Sequence, residues 1–266
     1  KFMFKKMKDE NHSFYDITYN LDTKETKSKK TQKEDYDKNI LCGDCDNGII
    51  GGIYEDYAKD ALYGENLNPE IAPKCKNFKN PDDGAEYSIC ENIDYTKMKL
   101  FLLSLLWRAS ITDRPVFKEV NIGSKHEEII RKMIYEKITP LETEYPIVIT
   151  SFMRTENRFE NLIAQPKRIR MKGGLNGYIF LIDSLQFVFS VNSADHKIPE
   201  YILKSTIKES GELTTLHLPN GSELDFFKQI LEKSNCFFCV TDLIGDLFCL
   251  NLKENPEIVR PFLYCS

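Results

Sequence analysis

Cys42 and Cys45 are the residues whose type and spacing point most directly to chemistry. They lie three apart in Asn39-Ile40-Leu41-Cys42-Gly43-Asp44-Cys45-Asp46-Asn47. At that spacing two thiolates on a tight turn can bind one Zn²⁺, because the Gly43-Asp44 step lets both sulfurs face the same way. A four-coordinate structural site needs two further ligands, and Cys75 and Cys90 are the possible partners downstream, at irregular spacing. Cys236-Phe237-Phe238-Cys239 repeats the spacing in a strand-like setting. Residues three apart on a strand point to opposite faces, so core packing is expected there, and for Cys249 and Cys265 as well.

The other residues able to do chemistry are scattered. His12, His126, His196 and His217 each lack a second His or a carboxylate at helical ligand spacing, so surface or satisfied roles are expected. His196 beside Asp195 is the exception to watch. No nucleophile elbow, P-loop, dinucleotide fingerprint or His-Glu-x-x-His occurs. Lys167, Arg168, Arg170 and Lys172 form the most basic cluster, running into Gly173-Gly174. A solvated loop and a phosphate-backbone contact are both open readings of it.

The elements that must position these residues can be read from periodicity. Phe14 to Tyr19 alternates as a strand would, and the lysine-rich run at 23–30 reads as an exposed loop. Ile40-Leu41 is read as the end of a short strand entering the knuckle. Gly48 to Gly52 reads as a flexible turn, followed by a helix from Tyr54 to Leu62. Residues 64–92, rich in Pro, Asn and Asp, read as loop and mark a boundary. Tyr95 to Ala109 is apolar nearly all round, with a narrow polar stripe through Lys97, Ser104 and Arg108, as expected of a buried central helix. Ser124 and Glu127 form a capping-box pair opening a second helix whose inner face is Ile129, Ile130, Met133 and Ile134.

Beyond Pro146 the pattern turns to strands at Ile147 to Phe152, Tyr178 to Ile182 and Leu185 to Val191, the last two joined at Asp183-Ser184 as in a tight hairpin. Helical patterns return at 199–209 and 223–233, then a strand pair at 236–241 and 247–252. The expected class is α+β, with a strand-knuckle-helix unit, central buried helices and a C-terminal antiparallel sheet with helices. The expected division is 1–92 for the knuckle region and its loop, and 93–266 for the α+β domain.

Bulk composition narrows the function classes. The chain has 266 residues, 41% hydrophobic and 29% charged, with a net charge of -5, which describes an ordinary globular protein and gives no global electrostatic case for nucleic acid. Its longest apolar run, Leu100 to Trp107, falls short of a bilayer span, so no membrane partner is expected. Eight cysteines are too sparse for a disulfide-stapled secreted domain, and Lys1 to Lys8 has no apolar signal region; a cytoplasmic setting is expected. The chain begins at Lys1 without Met, which favours truncation upstream.

With Asn39, Cys42, Cys45 and Asp46 in view, Tyr36-Asp37-Lys38-Asn39-Ile40-Leu41-Cys42-x-x-Cys45-Asp46 resembles the second half of the zinc-bearing motif of HNH endonucleases, whose ββα-metal unit follows the Cys pair with a helix. Asp94-Tyr95-x-Lys97-x-Lys99-Leu100-Phe101 and Leu106-Trp107-Arg108-Ala109-Ser110 likewise resemble bacterial HNH-like proteins. The resemblance covers roughly the first half of the chain. It implies that Asn39 orients the catalytic hairpin, that Cys42 and Cys45 are zinc ligands, and that Asp46, where the family usually has its last His, coordinates Mg²⁺ or another divalent metal. The family's first Cys-x-x-Cys and its general-base His have no counterpart before Asn39.

The expectation is therefore an HNH-related protein that hydrolyses DNA phosphodiesters with metal help, in a setting such as bacterial defence, and is inactive as the chain stands. DNA is its expected partner, contacted through Lys167, Arg168, Arg170 and Lys172. The rival is a non-catalytic module binding nucleic acid or protein, with a structural zinc knuckle.

Overall fold

A computed structural model of the chain describes residues 13–20, 23, 25–31, 40–64, 68–81, 84–154, 162–170, 176–191, 198, 200–220 and 222–223. The expected strand pair at 236–241 and 247–252, the cysteines from 236 onward, the helix pattern beyond 223, His12, His196, Asn39 and Lys172 lie outside the described residues.

The fold is α+β. Strands β1 (Phe14–Tyr19) and β2 (Thr26–Thr31) form a separate antiparallel hairpin. The lysine-rich run expected as loop is thus largely strand. Among the described residues, seven further strands build one sheet: β3 (Lys74–Lys79), β4 (Glu86–Glu91), β5 (Ile147–Ser151), β6 (Lys167–Arg170), β7 (Asn176–Ile182), β8 (Leu185–Val191) and β9 (Leu213–His217). Their order is β3-β4-β9-β5-β8-β7-β6. All neighbours are antiparallel except β5 and β9. The sheet is therefore mixed rather than purely antiparallel, because β9 enters from a long excursion and slots between β4 and β5.

The segment expected as loop at 64–92 holds β3 and β4. Its Pro residues lie before and between the two strands, while Lys74–Lys79 and Glu86–Glu91 are free of Pro and pair residue for residue. The sheet crosses the expected boundary at 92 and 93, since β4 is hydrogen-bonded to β9.

A π-helical segment, Asp44–Glu55, runs directly into helix α1 (Asp56–Tyr63). The glycines expected as a flexible turn lie inside this helix. A Cβ on Gly51 would stand 3.0 Å from the Asp46 carbonyl oxygen, and one on Gly52 3.1 Å from that of Asn47. Bare Cα atoms thus accommodate the wider i→i+5 winding, whose last bond runs from the Asp56 N–H to the Gly51 carbonyl.

Helix α2 (Tyr95–Ile111) starts at Asp94, whose carboxylate accepts the Lys97 N–H at 3.0 Å. Helix α3 (Ser124–Glu136) starts at Gly123, with a φ of 79°. The expected Ser124/Glu127 capping box is not formed: Ser124 lies within the helix, and the Glu127 carboxylate instead accepts from the Ser110 hydroxyl of α2 at 2.7 Å. The short helix α4 (Glu200–Lys204) occupies part of the 199–209 pattern.

Alternation along the central strands sorts side chains to two cores. Tyr178, Phe180, Ile182, Leu185, Phe187 and Phe189 pack with Leu100, Phe101, Leu103 and Ile134 from α2 and α3 and with Ile50 and Tyr54 from the π segment. Ile179, Leu181, Val188 and Leu216 face the other way, with Ile202 of α4. Strands buried on both faces read as continuous apolar runs, which is how β7 and β8 stood out in the sequence. Their turn, Asp183-Ser184, has φ of 50° and 62°, the paired left-handed conformation of a two-residue hairpin.

Candidate functional site

The cysteine pair straddles the start of the helix: Cys42 precedes the N-cap Gly43 and Cys45 lies in the first turn. The Asp46 N–H donates to the Cys42 carbonyl at 2.9 Å, and the Cys45 N–H donates to the Cys42 sulfur at 3.3 Å. Ile40 and Leu41, expected as strand, form a bend leading in. Both thiols are free; Cys42 is exposed and Cys45 half-buried. Asp44 and Asp46 lie in the first turn, where carboxylates complement the positive end of the helix dipole.

The turn is held on a firm base. Ile50 and Tyr54 are buried, and the Tyr54 hydroxyl donates to the Ile134 carbonyl of α3 at 2.9 Å. Arg108 of α2 pairs with Glu55 at 2.8 Å. These contacts carry the cysteine turn to α3, where the Tyr135 hydroxyl meets Cys45.

The two thiols are chemically unequal. The hydrogen bond from the Cys45 thiol, then that from the Cys45 backbone, stabilise the Cys42 thiolate and hold it below the ordinary thiol range; slight burial and Asp44 oppose this. Cys45, which gives that hydrogen bond and is desolvated, is pushed up, with Tyr135 opposing. Burial, and then the charge of Cys45, raise the Tyr135 phenol to about 12.

Cys75 and Cys90 are joined in a disulfide across β3 and β4. This overturns the four-cysteine set of 42, 45, 75 and 90, because sulfurs bonded to each other are not available as thiolates. It also lends nothing to the cytoplasmic expectation, since persistent disulfides are rare in reducing compartments. Among the described residues, no group of three His, Cys, Asp or Glu side chains is arranged to hold a metal ion. The pair of free thiols fits half of a tetrahedral zinc site and no more.

The basic cluster is a strand rather than a loop. Lys167, Arg168 and Arg170 lie on β6, at one edge of the sheet. Lys167 is held by Glu119 at 2.7 Å and is largely buried, so its charge is spoken for. Arg168 and Arg170 are exposed.

Two buried polar arrangements escaped the sequence. Ser88 on β4 donates to Asn77 Oδ1 on β3 at 2.7 Å and lies 2.5 Å from His217 Nε2 on β9. With the Ser88 proton on Asn77, His217 donates through Nε2 and its buried Nδ1 is left without a partner. Lys99, on α2, is wholly buried, and its ammonium has no hydrogen-bond partner. Its sequence signal was a lysine outside the polar stripe of an otherwise apolar helix; Ser88 and His217 meet only through the pairing of strands 129 residues apart.

Comparisons with family models, with curated proteins and with solved structures find no match to this chain. What defines it is the α+β fold and an unequal pair of free thiols at the head of a helix that begins as a π-helix. Among the described residues no helix is long and apolar enough to cross a membrane.

Proposed function

We propose that this chain is an HNH-related protein whose Cys42 and Cys45 are the two zinc thiolates of a knuckle, serving metal-dependent hydrolysis of DNA phosphodiesters. The observation that carries the reading is the order hairpin, Cys-x-x-Cys, helix, with both thiols free of disulfide bonds and the Cys45 N–H donating to the Cys42 sulfur at the helix head. That order supports the ββα resemblance drawn from Asn39, Cys42, Cys45 and Asp46. The described residues provide two of the four ligands a structural zinc needs, and the reading requires the other two from elsewhere.

A divalent ion held near such a centre supplies charge stabilisation to the leaving oxygen of a phosphodiester. In this reading Asp46 offers a hard carboxylate to that ion, and Asn39 orients the hairpin before the knuckle. Exposed Arg168 and Arg170 on β6 are the candidate phosphate contacts, with Lys167 and Lys172 beside them in sequence.

The test is DNA cleavage by the full-length natural protein with added Mg²⁺ or Mn²⁺. Cleavage that Asp46→Ala abolishes while the fold is retained supports the enzyme. Absence of cleavage before and after substitution rejects it in favour of a non-catalytic module with a structural knuckle.

A further inference from the structure

We propose that Cys42 and Cys45 form a thiol–disulfide exchange centre for small disulfide substrates of the glutathione type, with Cys42 the attacking thiol and Cys45 the resolving one. The inference goes beyond the metal reading and does not require it.

The geometry assigns the two roles. Exchange needs one sulfur that an incoming disulfide can reach and a second that can follow within the same turn. Cys42 is exposed and Cys45 half-buried, and the Cys45 N–H points at the Cys42 sulfur from 3.3 Å. That backbone contact keeps the attacking sulfur beside the residue that must follow it. The second sulfur is the less exposed of the two and sits beside Cys42 in the same turn. The turn is fixed by Tyr54 on Ile134 and by Arg108 on Glu55, so the two sulfurs stay together without a metal between them. Cys75 and Cys90 are already bonded, which leaves this pair as the described thiols able to exchange.

The reaction balances. The Cys42 thiolate attacks one sulfur of the substrate disulfide; that S–S bond breaks, and the departing thiolate takes up the proton released by Cys42. Cys45, giving its proton to solvent, attacks the Cys42 sulfur of the mixed disulfide and expels the second thiolate, which is protonated in turn. The protein dithiol loses two electrons to form the Cys42–Cys45 disulfide, and the substrate disulfide becomes two thiols.

The test uses the whole chain, treated with a chelator, equilibrated with oxidised glutathione, and read by alkylation and peptide mapping. The expected result is loss of both alkylatable thiols at 42 and 45, appearance of a 42–45 disulfide, and its reversal by reduced glutathione. Cys45→Ser should stop at one glutathione on Cys42, and Cys42→Ser should leave Cys45 largely unmodified. The proposal is overturned if both thiols of the folded protein remain alkylatable, if glutathione stays on Cys42 of the unsubstituted chain, or if Cys45 is the residue modified first. Zinc content, measured on the untreated protein, separates the two readings. A zinc-free protein that forms the 42–45 disulfide sinks the metal reading alone, whereas a zinc-loaded one that forms none after chelation sinks this proposal alone.

Discussion

Cys75 and Cys90 stand directly opposite each other on β3 and β4, their Cα atoms 3.9 Å apart, and are linked through their sulfurs. The same register sets Asn77 opposite Ser88 and Lys79 opposite Glu86. The bond therefore locks an edge hairpin whose outer strand is exposed along its whole length. It closes a short loop, with a sequence separation of 15, and such a crosslink typically contributes about 2–4 kcal/mol. Mild reduction, or Cys75→Ser with Cys90→Ser, should lower unfolding stability by about that amount. Denaturant titration with and without reductant checks it, and identical midpoints would contradict it.

Lys99 should make the protein more stable as pH rises above neutral. Burial pulls its ammonium down to about 7, against the favourable charges of Glu144, Glu142 and Glu209. The unfolded value is about 10.4. The unfolded chain therefore binds the extra proton between those values, and stability climbs with pH across that window and is flat in this respect below it. Lys99→Met fills a similar volume without a buried ammonium that lacks a hydrogen-bond partner and should stabilise the protein at neutral pH by on the order of 1–4 kcal/mol. It should also remove the slope. Denaturant midpoints from about pH 6 to about pH 10 provide the comparison; a less stable variant with the slope intact would refute the assignment.

His217 should act in the acid direction. Burial, and then the charge of Arg154, pull its imidazole down to about 4, with Glu86 opposing. Since the unfolded value is about 6.5, the neutral ring's contribution is fully present above that value and is lost as pH falls through about 4. His217→Gln can still donate to Ser88 but cannot titrate in this range. Its stability should fall less between about pH 6.5 and about pH 4 than that of the unsubstituted protein, as followed by circular dichroism.

The edge strand β6 offers a test of the nucleic-acid contact. If Arg168 and Arg170 touch phosphates, replacing both with Gln should weaken DNA binding and reduce the slope of log affinity against log salt by roughly 2. Lys167→Gln should leave that slope unchanged, because Lys167 is already paired with Glu119. An unaltered slope in the double variant would remove β6 from the interface.

How far these features could be read in the sequence depended on how local their causes were. The hairpin at Asp183-Ser184, the buried helix at Tyr95–Ile111 and the inner face of Ser124–Glu136 are set by periodicity and short-range turn chemistry. The π-helix was hidden because glycines usually mark turns, and here Gly51 and Gly52 instead permit close approach of the Asp46 and Asn47 carbonyls. Strands β3 and β4 were masked by polar composition: β3 is an exposed edge with no apolar face to show. In the candidate site, the spacing of Cys42 and Cys45 was visible, but their inequality comes from the Cys45 thiol and then the Cys45 N–H donating to the Cys42 sulfur, a direction that spacing does not encode. The removal of Cys75 and Cys90 from any metal set came from strand register, which spacing alone does not encode.

Metal analysis of the full-length protein purified under reducing conditions decides whether Cys42 and Cys45 are zinc thiolates. The expected result is about one Zn²⁺ per chain, protection of both thiols from alkylation, and loss of the metal in Cys42→Ser and Cys45→Ser. A metal-free protein in zinc-replete medium, with both thiols freely alkylated and the fold intact, would contradict it.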